Sequence, residues 1–246
     1  MKIPFEPILF DIPINIHLIL EYLAFFLAFR YYVFLQKQTS DSITKSNKLS
    51  IILGAMIGAF LGSRIFALLE NPVIPSNITF LITILNSKTI MGGLFGGLLG
   101  VEIAKKIIGE KQSSGDLFIF PIILGIFIGR IGCFLSGINE FTYGKETSFF
   151  MGMNLGDGIN RHPIALYELI FLVVLFLFFQ KLKSKKLKAG LLFQYFMISY
   201  FAFRFCIEFL KPNIFFIFGL SSIQILCLIC MLYYYKTILN LVKNAR

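Results

Sequence analysis

Long apolar runs recur along the chain at a length that suits a lipid bilayer. A helix that crosses the hydrocarbon core needs about 20 mostly apolar residues, because each residue adds only about 1.5 Å of rise. Runs of this kind occupy residues 15–35, 49–69, 89–108, 117–137, 164–181, 190–209 and 214–236. We therefore predict an all-α polytopic membrane protein with about seven transmembrane helices, in a single membrane domain covering residues 1–246.

Basic residues are concentrated in alternate loops between these runs. The lysine- and arginine-rich loops contain Lys37, Lys45 and Lys48, then Lys105, Lys106 and Lys111, then Lys181, Lys183, Lys185, Lys186 and Lys188, and finally Lys236, Lys243 and Arg246. Such loops remain on the cytosolic side of a membrane. We predict that the N-terminus lies outside and the C-terminus in the cytosol. The longest polar connection, residues 138–163, then forms a small external segment between the fourth and fifth helices.

The composition excludes an ordinary soluble domain, since 57% of the residues are hydrophobic and only 15% are charged. The net charge of +10 is explained by loop lysines beside anionic lipid, so we expect no nucleic-acid partner. All four cysteines, Cys133, Cys206, Cys227 and Cys230, fall within apolar runs. That placement indicates neither a disulfide framework nor a metal site, and we expect no metal and no cofactor.

Ionisable residues recur in the predicted outer halves of the helices. They are His17, Glu21, Arg64, Arg130, Glu168, Arg204 and Glu208. Charges within a membrane normally pair or line a wet cavity. The i,i+4 spacing places His17 beside Glu21, and Arg204 beside Glu208, on one helix face. The last two residues could simply be an ion pair that ties helices together. The cluster of three arginines at similar depth, however, predicts an anionic ligand, a phospholipid head group, because the planar guanidinium binds phosphate bidentately.

Three motifs and one arginine resemble the prolipoprotein diacylglyceryl transferases, polytopic enzymes of the bacterial cytoplasmic (inner) membrane. GRIGCFLSG at 129–137 is similar to the family motif that begins Gly-Arg. RHPIALYE at 161–168 and RFCIEF at 204–209 are similar to the family's His-Pro-x-x-Leu-Tyr-Glu and Arg-Phe-x-x-Glu-Phe. Arg64 in GSRIF fits the arginine of the family's second span. The family has seven spans with an external N-terminus, as the hydropathy and charge pattern predicts here.

The resemblance implies lipoprotein maturation without a cofactor. A diacylglyceryl group moves from phosphatidylglycerol to the thiol of the lipobox cysteine in a prolipoprotein signal peptide, and glycerol phosphate is released. It implies that Arg130 and Arg204 bind and stabilise phosphate. It also implies that Arg64 adds positive electrostatic potential at the site and that Glu208 orients Arg204. The same resemblance makes His162, Tyr167 and Glu168 supporting residues.

The chain departs from the family at the start of the third span. Where the family has a His-Gly-Gly whose histidine is assigned as a base, this chain has Met91-Gly92-Gly93. A methionine cannot accept a proton. If the reaction persists, the best candidate for a relocated base is His17, with Glu21 holding its tautomer. An interfacial histidine at a helix start is the alternative interpretation of His17.

The central motif also departs from the family. Cys133 and Ser136 stand where the family usually has asparagines, and Ile138 where it usually has a glutamate. Glu140, two residues further on, is a candidate replacement for that glutamate. Two further hypotheses remain open: a divergent lipid-modifying enzyme with another acceptor or lipid donor, and a non-enzymatic protein that binds or transports phospholipid.

Overall fold

The computed structural model describes residues 3–39, 43–70, 87–185, 187–213 and 217–244. Within these residues the helices are α1 Ile16–Gln38, α2 Lys45–Glu70, α3 Ile90–Ile108, α4 Ile119–Ser136, α5 Ile164–Lys183, α6 Leu191–Ile207, α7 Ser222–Tyr233 and α8 Tyr235–Asn244. Short strands form two antiparallel pairs, β1 Ile8–Leu9 with β2 Ile12–Pro13 and β3 Met153–Asn154 with β4 Asn160–Arg161. The first six helices begin and end within four residues of the predicted spans.

Several helices are suited to a membrane. Five helical segments of the described chain are long and apolar enough to cross one, and the number rises to six if α7 and α8 form one bent span. The helix α3 is more polar because Glu102, Lys105 and Lys106 lie in its second half. The prediction of an all-α polytopic membrane protein is confirmed. The count of seven spans and the external N-terminus stay predictions.

The outer surfaces of the helices are apolar. On α1 alone, Tyr22, Phe25, Phe26 and Phe29 are each at least 60% exposed. A soluble protein rarely exposes a continuous patch of this kind, whereas lipid tails solvate it without cost. These side chains therefore identify the lipid-facing surface of the helix.

The last predicted span, 214–236, differs from the structure. Residues 214–216 lie outside the described residues, and α7 ends at Tyr233, where the chain bends by 67° into α8. Lys236, Asn240 and Lys243 recur at helical spacing along α8, so that polar residues share one face. An amphipathic helix of this type suits the membrane interface better than the hydrocarbon core.

The described chain contains two compact units. The first comprises Met1–Ser40, Ser114–Phe196 and Phe209–Pro212. Within it, α1 packs along α4, and α4 packs against α5. The approach of α1 to α4 is close at Gly132, where an added Cβ would lie 3.2 Å from His17 Cδ2. The absence of a side chain at this position lets the imidazole ring lie directly against α4.

The second unit comprises Asp41–Ser113, Met197–Glu208 and Asn213–Arg246. Glycines at every fourth residue face each other between two antiparallel helices, with Gly54, Gly58 and Gly62 on α2 opposite Gly100, Gly96 and Gly92 on α3. An added Cβ at Gly54 would lie 2.6 Å from the Gly100 carbonyl oxygen. Since lipid provides no hydrophobic drive between helices, this backbone contact contributes van der Waals packing in its place.

Candidate active site

The first unit buries an ion pair between α4 and α5. Arg130 Nε lies 2.9 Å from Glu168 Oε2. Arg130 is 7% exposed and Glu168 is fully buried. A lone charge at this position would be costly in a low-dielectric interior, and each partner offsets the charge of the other.

A thiol and an imidazole adjoin this pair. Cys133 follows Arg130 by three residues on α4, which places both on one helix face. Arg130 Nη1 donates to Cys133 Sγ at 3.7 Å, and the same sulfur lies 3.5 Å from His17 Nε2. The histidine comes from α1, so the contact joins residues 116 positions apart in the sequence.

The second nitrogen of the imidazole faces a carboxylate. His17 Nδ1 lies 3.3 Å from Glu140 Oε1, and the two side chains are 14% and 38% exposed. The supporting role of Glu21 stays a prediction, and both ring nitrogens of His17 are engaged, with Glu140 as the carboxylate beside Nδ1. The reason is geometric: Glu140 follows the 3-10 turn at the end of α4, which brings it back over the start of α1.

These contacts form a continuous chain of side chains, called here the thiol network: Glu168, Arg130, Cys133, His17 and Glu140. Cys133 helps to line a small cavity, with Phe134, Leu155, Ile164 and Ala165 among the other lining residues. The network therefore presents cationic, acid–base and nucleophilic groups beside an apolar surface.

The predicted supporting residues His162 and Tyr167 contact each other. His162 Nδ1 lies 3.0 Å from the Tyr167 hydroxyl. The backbone of His162 accepts a hydrogen bond from Gly144 N at 2.9 Å, and an added Cβ at Gly144 would lie 2.5 Å from His162 Cβ. Only glycine fits at position 144, so this contact anchors the external segment 138–163 at the start of α5.

The second unit buries a different ion pair. Arg204 Nη2 donates to Glu208 Oε2 at 2.8 Å, which confirms the pairing predicted from the i,i+4 spacing. The other carboxylate oxygen, Oε1, accepts from Asn213 Nδ2 at 2.7 Å. Asn213 also donates to the Glu208 carbonyl oxygen at 3.1 Å. This amide closes the turn that follows α6.

Three other predicted residues lie at the junction of α2 and α3. Arg64 Nη1 donates to the carbonyl oxygen of Ser87, and its guanidinium lies 5.3 Å from the centre of the Phe60 ring. Gly92 packs against α2, whereas an added Cβ at Gly93 would have only ordinary contacts at 3.7 Å and beyond. Met91, which replaces the family's histidine, is 2% exposed. Because these residues and Arg204 belong to the second unit, their convergence with Arg130 stays a prediction.

The sequence prediction missed two residues. The sequence pattern presents Cys133 only as a cysteine in an apolar run and as a departure from the family motif, although its spacing of three from Arg130 places it on the same face of α4. Asn213 gave no signal, because it lies beyond a helix end in a polar turn of ordinary composition.

The fold and these groups define a polytopic membrane protein whose buried site combines a cation with acid–base side chains. The model of the prolipoprotein diacylglyceryl transferase family matches residues 7–239. The chain belongs to the prolipoprotein diacylglyceryl transferase family, and the resemblance seen in its motifs is thereby confirmed.

Curated relatives carry the name phosphatidylglycerol–prolipoprotein diacylglyceryl transferase. The protein of Nitratidesulfovibrio vulgaris strain DP4 is 36% identical over 193 residues, which cover 72% of this chain and 70% of that protein. The protein of Rickettsia felis is 39% identical over 187 residues, covering 70% of each chain. That of Bordetella parapertussis is 32% identical over 188 residues, covering 70% of this chain and 68% of the relative.

Proposed function

We propose that this protein transfers a diacylglyceryl group from phosphatidylglycerol to the lipobox cysteine of a prolipoprotein, in the bacterial cytoplasmic membrane. The observation that carries the proposal is the buried pair of Arg130 and Glu168, because it holds a guanidinium in place within helices that face lipid. Membership of the transferase family supports the same reaction.

The reaction replaces a phosphodiester with a thiolate at a glycerol carbon. Negative charge gathers on the departing phosphate, so a cation that is already oriented lowers the barrier. Arg130 supplies that cation, and Glu168 keeps its planar fork aligned for phosphate oxygens. Arg204, held by Glu208, and Arg64 remain the further candidates for binding the phosphate.

The acceptor thiol must lose its proton, and His17 is the proposed base. The Glu140 carboxylate beside Nδ1 favours the tautomer that carries its proton there, which leaves Nε2 able to accept one. The Nε2 atom now contacts Cys133 Sγ. In the reaction, the sulfur of the acceptor cysteine would lie beside Nε2, in the position that Cys133 Sγ has relative to the His17 imidazole. This arrangement would supply a base in a chain that has Met91 in place of the family's histidine.

The experiment uses the purified full chain in vesicles of phosphatidylglycerol, with a synthetic peptide that contains a lipobox. Mass spectrometry should detect a diacylglyceryl group on the peptide cysteine that resists hydroxylamine, as a thioether does. Arg130→Lys keeps the charge but loses the bidentate fork, so the rate should fall by about 10²-fold or more. Arg30→Gln, at an exposed arginine of α1, is the matched control and should retain the rate.

The proposal is wrong if the peptide stays unmodified while the Nitratidesulfovibrio relative modifies it in the same vesicles. Because Met91 replaces the family's histidine, a reaction with a different lipid donor or acceptor is the second candidate function. Replacing phosphatidylglycerol by other phospholipids tests it. A protein that only transports phospholipid would move labelled lipid between leaflets without any peptide.

A further inference from the structure

We propose that Cys133 is itself a nucleophile that takes an acyl group from a carboxylic ester of an aliphatic acid, with His17 as its base and Glu140 as the residue that orients the base. This activity goes beyond diacylglyceryl transfer. It cleaves the acyl carbon–oxygen bond of an ester and leaves the bond between glycerol and phosphate intact.

The geometry is that of an activated nucleophile. A reactive thiol needs a base within hydrogen-bonding distance, and the base needs a third group that fixes its tautomer. Cys133 Sγ lies 3.5 Å from His17 Nε2, and His17 Nδ1 lies 3.3 Å from Glu140 Oε1. The three residues come from α4, from α1 and from the turn after α4. Such an arrangement is recognised by its geometry and roles rather than by order in the sequence.

The surroundings of the sulfur fit an acyl ester. Arg130 Nη1, at 3.7 Å from Sγ, places positive charge where a thiolate and then a tetrahedral oxyanion would form. The cavity at Cys133 is lined largely by apolar side chains, including Phe134, Leu155 and Ile164. The polarity of that lining suits an aliphatic acyl chain, which would have to displace these side chains to enter, whereas a charged substrate would also lose its solvation there.

The other cysteines provide an internal comparison. The chain has two histidines, and the second, His162, bonds to Tyr167. Cys206 is exposed, and Cys227 and Cys230 are buried in α7. Among the cysteines of the described structure, Cys133 alone has a recorded hydrogen bond to an imidazole.

The proposed step balances without any oxidant or reductant. Cys133 Sγ attacks the ester carbonyl carbon while His17 Nε2 takes the thiol proton. The carbon–oxygen bond then breaks, and His17 returns the proton to the departing alkoxide, so that an alcohol leaves and a thioester remains on Cys133. Water hydrolyses the thioester to a carboxylic acid and restores the thiol. In the membrane, the natural source of such an ester is a glycerolipid.

The test uses the purified full chain in detergent with p-nitrophenyl butyrate as the probe, and without phosphatidylglycerol or peptide. After acid quenching, intact mass and peptide mapping should show one butyryl group on Cys133 that hydroxylamine removes. Cys133→Ser should abolish this adduct, and Cys206→Ser, the matched control, should leave it unchanged. His17→Asn should slow its formation by about 10²-fold or more, and Glu140→Gln should slow it by less.

A second measurement does not depend on the folding of any variant. In the wild-type chain, iodoacetamide should alkylate Cys133 faster than the exposed Cys206, and prior incubation with p-nitrophenyl butyrate should protect Cys133. Equal labelling of all four cysteines, or an adduct whose rate does not change in a folded His17→Asn variant, would overturn the proposal. Because no lipid donor or peptide is present, failure of the diacylglyceryl transfer assay leaves these outcomes unaffected.

Discussion

In the part of the chain that the structure describes, each unit has a buried arginine–glutamate pair, and the two pairs differ in the side-chain contacts given above. In the second unit, Arg204 and Glu208 lie 2.8 Å apart on neighbouring turns, and Asn213 bonds the remaining carboxylate oxygen. In the first unit, Arg130 and Glu168 lie 2.9 Å apart on different helices. There the guanidinium donates to the Cys133 thiol, which in turn contacts the His17 imidazole, whereas in the second unit the amide bonds to the carboxylate.

The comparison teaches that a buried ion pair does not define a role by itself. An amide has no proton to exchange near neutral pH, so Asn213 can orient Glu208 but can take no part in acid–base chemistry. The neighbours of Arg130, Cys133 and His17, can both gain and lose protons. We therefore expect the nucleophilic and proton-transfer chemistry in the first unit, and we expect the second unit to supply an oriented cation.

The largest effect should follow from removing either buried carboxylate. Glu168→Ala and Glu208→Ala each leave an arginine buried without its partner, so each should lower the free energy of unfolding by about 3–5 kcal/mol. The double replacements Arg130→Met/Glu168→Leu and Arg204→Met/Glu208→Leu should recover most of that loss and still lack transfer activity. Unfolding in SDS followed by circular dichroism measures the stability. A loss below about 1 kcal/mol would show that the pair is hydrated.

The second-largest effect should follow from removing the side-chain amide of Asn213 in the second unit. Asn213→Ala removes a hydrogen bond to a charged group and should cost about 1.5–3 kcal/mol in the same unfolding assay. Asn160→Ala, at an exposed asparagine, is the control and should stay within about 0.5 kcal/mol of the wild type. Equal losses in the free energy of unfolding would show that the Asn213 amide does not stabilise the second ion pair, and the distinction between the two units would fail.

Two neighbouring glycines test how the second unit is packed. Gly96→Ala places a methyl group 2.8 Å from Gly62 Cα and should destabilise the protein by about 1–3 kcal/mol. Gly97→Ala meets nothing closer than 3.5 Å, so it should be neutral or should stabilise the helix by up to about 1 kcal/mol. Unfolding in SDS again provides the measurement, and reversal of the order would contradict the packing described for α2 and α3.

The corresponding glycine of the first unit should affect chemistry more than stability. An added methyl at Gly132 would lie 3.2 Å from His17 Cδ2 and 3.3 Å from His17 Cα, distances that a shift of α1 by a few tenths of an ångström can relieve. Gly132→Ala should therefore slow butyrylation of Cys133 while changing the free energy of unfolding by less than Gly96→Ala does. An unchanged rate of butyrylation would show that the position of the ring is unimportant for the thiol.

The smallest change in stability is expected at an ion pair outside the membrane helices. Arg161 Nε lies 2.6 Å from Asp157 Oδ2, and this hydrogen bond lowers the pKa of Asp157 below its ordinary 3.8. The contribution to stability is thus present above the ordinary pKa and is lost as the pH falls through the lowered value. Limited proteolysis of segment 138–163 should accelerate below about pH 4. In Arg161→Gln the contribution of the pair is absent at every pH, so proteolysis should be faster at neutral pH and should accelerate less below about pH 4. A pH profile identical to that of the wild type would show that the pair does not hold the segment.

Local rules account for what could be predicted. The lengths of the apolar runs located α1 to α6, because the thickness of the bilayer limits the length of a spanning helix. The helical period of 3.6 residues per turn explains why the pair of Arg204 and Glu208 was predicted correctly. The seventh predicted span was less accurate, since hydropathy alone does not report the bend after Tyr233.

The sequence by itself determined that this is a helical membrane protein of the prolipoprotein diacylglyceryl transferase family, with arginines and carboxylates inside its helices. Those features depend on composition and on neighbours along one helix. Only the tertiary structure decided that His17 meets Cys133 and Glu140, and that Arg130 meets Glu168. Contacts between helices depend on how their surfaces pack, and small residues such as Gly132 set that approach through van der Waals contact, which no period in the sequence records.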